Sequence, residues 1–153
     1  AGDRTIPARD FFVAFYETAL EPGEIVTAIR VPVPAAGSGT CYHKFVTRSS
    51  EDRPCVGVAA LVRLAPDGSA TDLRVAVGAA AETPQRFPET EALARGQVLS
   101  DEVVARVADA YADAIDTLDD MRGSAWYRTE MVRVWVRRAI ESAHEAACRP
   151  PVS

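Results

Sequence analysis

Hydrophobic and polar positions alternate most plainly from Tyr42 onward, and the rest of the chain is best placed around that stretch. Tyr42, Lys44 and Val46 fall on one side of a period-two pattern and His43, Phe45 and Thr47 on the other, which predicts a strand. Arg48 to Arg53 is almost wholly polar or charged and reads as a loop, closed by Pro54, which fixes φ and removes a ladder donor. Cys55 to Leu64 is apolar and β-branched, as a strand with at least one buried face should be. Pro66-Asp-Gly-Ser69 is a hairpin turn, and Asp72 to Ala80 gives a third strand in which Gly78 marks a bend or a close backbone approach.

Before this meander, Asp10 is expected to cap a short helical turn that places Phe11, Phe12, Phe15 and Tyr16 on one side. That is a large apolar area for a short segment, so it is expected to form an exposed or self-covering patch. Glu21-Pro-Gly-Glu24 is a turn, Glu24 to Val33 reads as a strand ended by Pro32 and Pro34, and Ala35 to Thr40 is small, flexible linker material. After the meander, Thr83 to Pro88 is loop, and Glu89 to Arg95 is a short helix stopped by Gly96. Ser100 caps an amphipathic helix whose apolar face is Val104, Val107, Tyr111, Ile115 and Leu118. Asp119 to Gly123 breaks it, and Ser124 caps a last helix reaching at least His144. Val132, Val134 and Val136 alternate as a strand would, but length, cap and the Ala-rich tail favour helix. The class is therefore α+β: a three-stranded antiparallel sheet with about three helices on one face, preceded by a short helix-strand segment.

Composition narrows the function classes. A chain of 153 residues is one ordinary domain with room for an appended segment, and a net charge of −5 without a basic stripe argues against nucleic acid. Cys41, Cys55 and Cys148 have no metal-ligand spacing and cannot all pair internally, so reduced thiols in a cytosolic protein are the simplest reading. No apolar run approaches a membrane span, and Ala-Gly-Asp-Arg at the start has no signal-peptide pattern. A soluble, cytoplasmic, acidic protein is expected.

Chemistry is sparse. There is no dinucleotide fingerprint, P-loop or nucleophile elbow. His43 reads as a half-buried strand histidine, Asp119 and Asp120 as a solvated turn, and Trp126 and Trp135 as packing residues. No catalytic residue and no metal ligand is assigned. Lys44 is the only lysine beside sixteen arginines. It reads either as a solvated lysine blunting a strand edge or as a compact ammonium placed where a planar guanidinium would not suit.

Six segments in order carry a resemblance. They are Phe11-Phe-x-x-Phe-Tyr with Pro22-Gly-Glu-Ile25, Ile29-Arg-Val-Pro32, Tyr42-His-Lys-Phe45, Arg48 with Glu51-Asp52, Val77-Gly78 with Thr83-Pro84-x-Arg86, and Gly123-Ser-Ala-x-Tyr-Arg128 leading to Val136-Arg-Arg-Ala139. Together they resemble the C-terminal part of the FAD-binding (medium) subunit of molybdenum hydroxylases, the group of xanthine dehydrogenase and aerobic carbon monoxide dehydrogenase. The resemblance runs from about Ile6 to the last helix.

It implies that residues 1–39 are the end of a flavin-binding domain plus linker, 40–149 the subunit's C-terminal domain and 150–153 a tail. It implies FAD as cofactor, and an iron-sulfur subunit, a molybdopterin subunit and the N-terminal flavin-binding subdomains as partners. Electrons would pass from iron-sulfur centres through FAD to NAD, a quinone or oxygen. Carried over by position, Lys44 matches a lysine beside the isoalloxazine ring and Val26 an apolar residue lining it. Arg48 and Asp52 match a charged loop bordering the flavin edge. The family's glycine-rich phosphate loops have no counterpart here, so the chain is expected to be a piece of such a subunit or one product of a split gene. Alone it is expected to bind FAD weakly and to be inactive. The alternative is a stand-alone interaction or scaffold module that keeps the fold without binding flavin.

Overall fold

The computed structural model describes residues 2–47 and 53–149 and divides into two compact units, Ala1–Val33 and Pro34–Ser153. In the first unit a four-residue helix, α1 (Ala8–Phe11), leads directly into the antiparallel pair β1 (Phe12–Ala14) and β2 (Glu17–Thr18), with Phe12 opposite Thr18. Pro7 stands at the N-cap and Asp10 lies inside the helix, so the expected aspartate cap does not form. The aromatic run does not share one helical side either. A single turn is too short to propagate, and β-prone aromatics leave it for a hairpin turned at Tyr16, whose φ is +59°. Phe12 and Phe15 remain about half exposed, their rings edge-on to Phe11 and Tyr16 respectively.

The turn at Glu21–Glu24 forms as expected, with Gly23 at φ +90° and the Glu24 amide donating to the Glu21 carbonyl at 3.0 Å. The Glu24 carboxylate accepts from Arg4 Nε and Nη2 (2.7 and 2.6 Å) and from the Glu21 amide (2.7 Å). These donors, Arg4 first, hold its pKa down to about 2 from the ordinary 4.5. A depressed carboxylate stabilises the clip above its ordinary titration range and loses that stabilisation as pH falls through about 2. An NMR titration should therefore place the Glu24 carboxyl near 2, and Arg4→Ala should return it toward 4.5.

The strand expected over Glu24–Val33 does not form. Ile25, Ile29, Val31 and Val33 are among the most exposed large apolar residues. Alternation supplies a strand's face but not its neighbour, and the described residues of the first unit offer no further strand to pair with.

The second unit holds the antiparallel sheet β3 (Ser38–Phe45), β4 (Val56–Leu64), β5 (Ala70–Gly78), in that order. Ser38 to Thr40, expected as linker, already belong to β3. The β4–β5 turn is the expected one, with Gly68 at φ +83° and Asp67 accepting from the Ser69 amide. Short α2 (Pro88–Glu91) runs into a 3₁₀ turn, Ala92–Ala94, closed by Gly96 at φ +73°. Helices α3 (Asp101–Ala114) and α4 (Ala125–Cys148) are capped by Ser100 and Ser124, whose hydroxyls accept from the Val103 and Tyr127 amides. The periodicity carries α3 to Leu118, but the helix stops at Ala114. Beyond it the chain is extended, so that Ile115 enters the core and the Leu118 amide bonds the Ala80 carbonyl at 2.8 Å.

One face of the sheet (Val56, Val58, Ala60, Val62, Val75 and Val77) is buried with Val132, Val136 and Ile140 of α4 and Val104, Val107 and Tyr111 of α3. All the large helices lie on this side, as expected. The closest approach is at Gly39, where a Cβ would stand 2.1 Å from the Ala143 carbonyl oxygen and 2.2 Å from the Ala147 nitrogen. Trp135 packs as expected, stacked on Phe45 at 5.2 Å, whereas Trp126 is 73% exposed and takes no part in the core.

Among the described residues two charged ones are buried, contrary to the default for their type. Glu91 accepts from the Val75 amide (2.9 Å) and from Arg86 in a two-point pair (2.8 and 2.7 Å), with the Tyr111 hydroxyl 3.0 Å away. Burial, with Glu91 alongside, pushes the Tyr111 hydroxyl far above its ordinary pKa and keeps it a neutral donor, and the Val75 carbonyl lies 2.8 Å from it. Arg128, in the first turn of α4, is the other. It pairs with Asp120, an exposed turn residue as expected, which in addition anchors the arginine.

Candidate functional site

The sheet face turned away from the helices is built of small residues. Register places Lys44 opposite Gly57 and Gly57 opposite Gly78. The next row is Tyr42, Ala59 and Ala76, and the one after is Thr40, Leu61 and Arg74. Tyr42 and Lys44 are exposed. A Cβ at Gly57 would stand 2.9 Å from the Tyr42 hydroxyl, so the tyrosine ring leans over that glycine. A Cβ at Gly78 would meet nothing within 4 Å among the described residues, so no close approach there explains the glycine. Over the second and third rows, Ala59, Leu61, Ala76 and Arg74, with Arg86, line a shallow depression of about 290 Å³. Arg74 is held by Asp72 and Arg86 by Glu91.

The expected face for Lys44 is the one it occupies. The alternation also puts His43 and Phe45 beneath the sheet, where His43 Nε2 lies 3.2 Å from the Ser142 hydroxyl and its ring 5.4 Å from Trp135. Val26 belongs to the first unit and is 52% exposed. Arg48 and Asp52 lie outside the described residues. Sequence reading missed the floor of the site, Gly57, Ala59 and Ala76. Counting the register back from the Pro66–Ser69 turn would not have found them, because the register shifts between Arg63 and Leu64.

An exposed cation in the row that ends at the open Gly78, with Ala59 and Ala76 in the next row, suits a planar ring with a polar edge. Elsewhere, Cys41, Cys55 and Cys148 are free thiols, burial pushes Cys55 up, and among the described residues no group of three histidine, cysteine or acidic side chains converges to hold a metal ion. No helix among the described residues is long and apolar enough to cross a membrane.

Residues 41–143, which cover most of the sheet, the connecting segments and most of α4, match the family described as the CO dehydrogenase flavoprotein C-terminal domain. The chain belongs to this family. Within the CO dehydrogenase flavoprotein C-terminal domain, the Lys44–Gly57–Gly78 row and both buried charges, Glu91 and Arg128, fall inside the matched span. The chain is 37% identical over 147 residues to the carbon monoxide dehydrogenase medium chain of Afipia carboxidovorans, covering 95% of this chain and 50% of that one. It is 27% identical over 147 residues to the xanthine dehydrogenase FAD-binding subunit of Escherichia coli O157:H7, with the same coverage of 95% and 50%. Among solved structures, the reconstituted CO dehydrogenase from Oligotropha carboxidovorans superposes with a TM-score of 0.87 at 32% identity, over 94% of this chain and 49% of that one. The chain thus spans about half the length of the curated relatives it matches.

Proposed function

We propose that this chain is the C-terminal part of an FAD-binding subunit of a molybdenum hydroxylase and that the Lys44 row faces the isoalloxazine ring. The observation that carries the reading is the placement of the sole lysine in one row with Gly57, which the Tyr42 ring covers, and Gly78, above which the space is open. The open space above Gly78 fits a flat ring, and the ammonium fits its polar edge. The fit ends at the ring: among the described residues no glycine-rich nest of amides is present to hold a diphosphate.

FAD, when bound, accepts electrons at its ring and releases them one or two at a time. Lys44 holds a fixed positive charge where negative charge develops on reduction, stabilising the reduced ring. Gly78, with open space above its backbone, and Ala59 let the ring approach, while the Tyr42 ring covers Gly57; the resemblance matches Val26 to an apolar residue lining the ring. The resemblance assigns Arg48 and Asp52, outside the described residues, to a charged loop at the edge an oxidant would approach. In the intact assembly, electrons arrive from iron-sulfur centres fed by a molybdopterin subunit and leave to NAD, a quinone or oxygen. Residues 1–39 close a flavin-binding domain whose remaining subdomains supply the phosphate grip, and 40–149 form the C-terminal domain. This division gives the exposed Ile25, Ile29, Val31 and Val33 a place to be covered. The chain alone binds FAD weakly and is inactive.

The test is a fluorescence-quenching titration of FAD with the chain, with Lys44→Met and with Gly78→Val. In a chain labelled with ¹⁵N-lysine, the single Lys44 amide signal follows the same binding. Weak, saturable quenching is expected, weakened about tenfold or more by Lys44→Met, the scale of one charge-assisted hydrogen bond. Gly78→Val, which enters open space, should leave the fold intact and block the ring. Equal binding by all three would place the flavin elsewhere. No binding by any would favour the scaffold reading.

A further inference from the structure

The segment Gly123-Ser-Ala-Trp-Tyr-Arg128 does more than start a helix. The Arg128 side chain is 1% exposed and lies beneath the end of the sheet whose other face carries the Lys44 row. Its Nη1 donates to the Cys55 carbonyl at 2.7 Å and to the Ala79 carbonyl at 2.5 Å. Its Nη2 donates to Asp120 Oδ1, and its Nε reaches the Gly123 carbonyl at 3.4 Å. Cys55 leads into β4 two residues before Gly57, and Ala79 directly follows Gly78. One cation therefore joins the two strand ends that carry the glycine pair. The Cys55 amide in turn donates to the Phe45 carbonyl at 2.8 Å, which extends the tie to the end of β3 beside Lys44.

Two further observations point the same way. Ala79 has φ +65°, a left-handed conformation unfavourable for alanine, which persists only where its surroundings over-determine it. Asp120, the counter-charge, is itself fixed: partial burial opposes its ionisation, but the Arg122 amide and Arg128 outweigh that and hold its pKa below the ordinary carboxylate value. A planar fork that engages three carbonyls and a carboxylate at once is a geometric requirement that an arginine meets and a lysine does not.

We propose that Arg128 is a positioning residue for the ring-facing row, setting from beneath the sheet the spacing of Gly57, Gly78 and Lys44. Its functional meaning rests on the flavin reading above, but the positioning is measurable without flavin. The experiment is amide hydrogen exchange by NMR on the chain, on Arg128→Met and on Arg128→Lys, followed by the FAD titration. Exchange at Gly57 and Gly78 should rise at least about tenfold in Arg128→Met, a local opening, while Val62 and Leu73 at the other end of the sheet change far less. Arg128→Lys, which keeps the charge and loses the fork, should fall between the two. FAD affinity should decline in the same order. Should Arg128→Met fail to fold, Arg128→Lys decides alone: faster exchange confined to Gly57 and Gly78 supports the proposal. Unchanged exchange at those glycines, or an even acceleration along β4 and β5, would overturn it. If the unaltered chain does not quench FAD, the flavin reading fails, and the exchange pattern still judges Arg128.

Discussion

Gly39→Ala is expected to be the most damaging single substitution in the second unit, destabilising it by more than about 3 kcal/mol. The reason is backbone against backbone. The added methyl carbon would sit 2.1 Å from the Ala143 carbonyl oxygen, 2.2 Å from the Ala147 nitrogen and 2.7 Å from the Ala146 carbonyl carbon. No rotamer change relieves such a clash, because none of the three atoms belongs to a side chain. Either α4 lifts from β3 along its last turns or the strand bows outward. Each response opens the contact between the sheet and the helix that supplies Val136, Ile140 and Ala143 to the core. Urea unfolding followed by far-UV circular dichroism measures it. An unchanged midpoint would mean that α4 does not cross β3 this closely.

The second large effect is expected at Glu91. Glu91→Ala should cost about 3 kcal/mol or more, because it strips partners from buried groups that cannot turn to water. The Val75 amide would lose its acceptor, and the Tyr111 hydroxyl would keep only the Val75 carbonyl and the Phe87 amide, at 2.8 and 3.3 Å. Arg86 suffers less, since its side chain is 45% exposed and can rehydrate. Glu91→Gln keeps an acceptor for Val75 and loses only the charge facing Arg86, so it should cost clearly less. Thermal unfolding of the two variants side by side separates the buried hydrogen bonds from the ion pair. Equal losses would assign the whole effect to charge.

These two residues also show how far the sequence could be read. Tyr42 to Phe45 declares its faces by alternation, Cys55 to Leu64 declares a strand by its apolar, β-branched run, and Ser100 and Ser124 declare helix starts, because those signals are local. Gly39 does not declare its role. In a run of Ala, Gly and Ser it looks like linker, and only the helix laid across it makes the missing side chain necessary. Glu91 and Arg128 look like surface charges, since burial of a charge is decided by partners far along the chain: Val75 and Tyr111 for one, Cys55 and Ala79 for the other. Glu24–Val33 fails in the opposite direction, carrying a strand's pattern with no strand beside it. At the candidate site, Lys44 stood out by composition and its face by alternation. The floor of Gly57, Ala59 and Ala76 emerges only when three strands are placed in register.

The outer edge of β5 is occupied at Ala70 by Gly96 and Gln97, at Val75 by Glu91 and Tyr111, and at Val77 by Gln85. A sheet closed along one border cannot grow by repeated head-to-tail addition, since each new copy would need a free border to offer and another to accept. Within this three-stranded sheet, edge pairing between copies is thereby left to β3, and β3 against β3 is a two-fold arrangement that ends there. Glu91 and Gln85 thus keep the backbone of Val75 and Val77 from pairing with a strand of another copy.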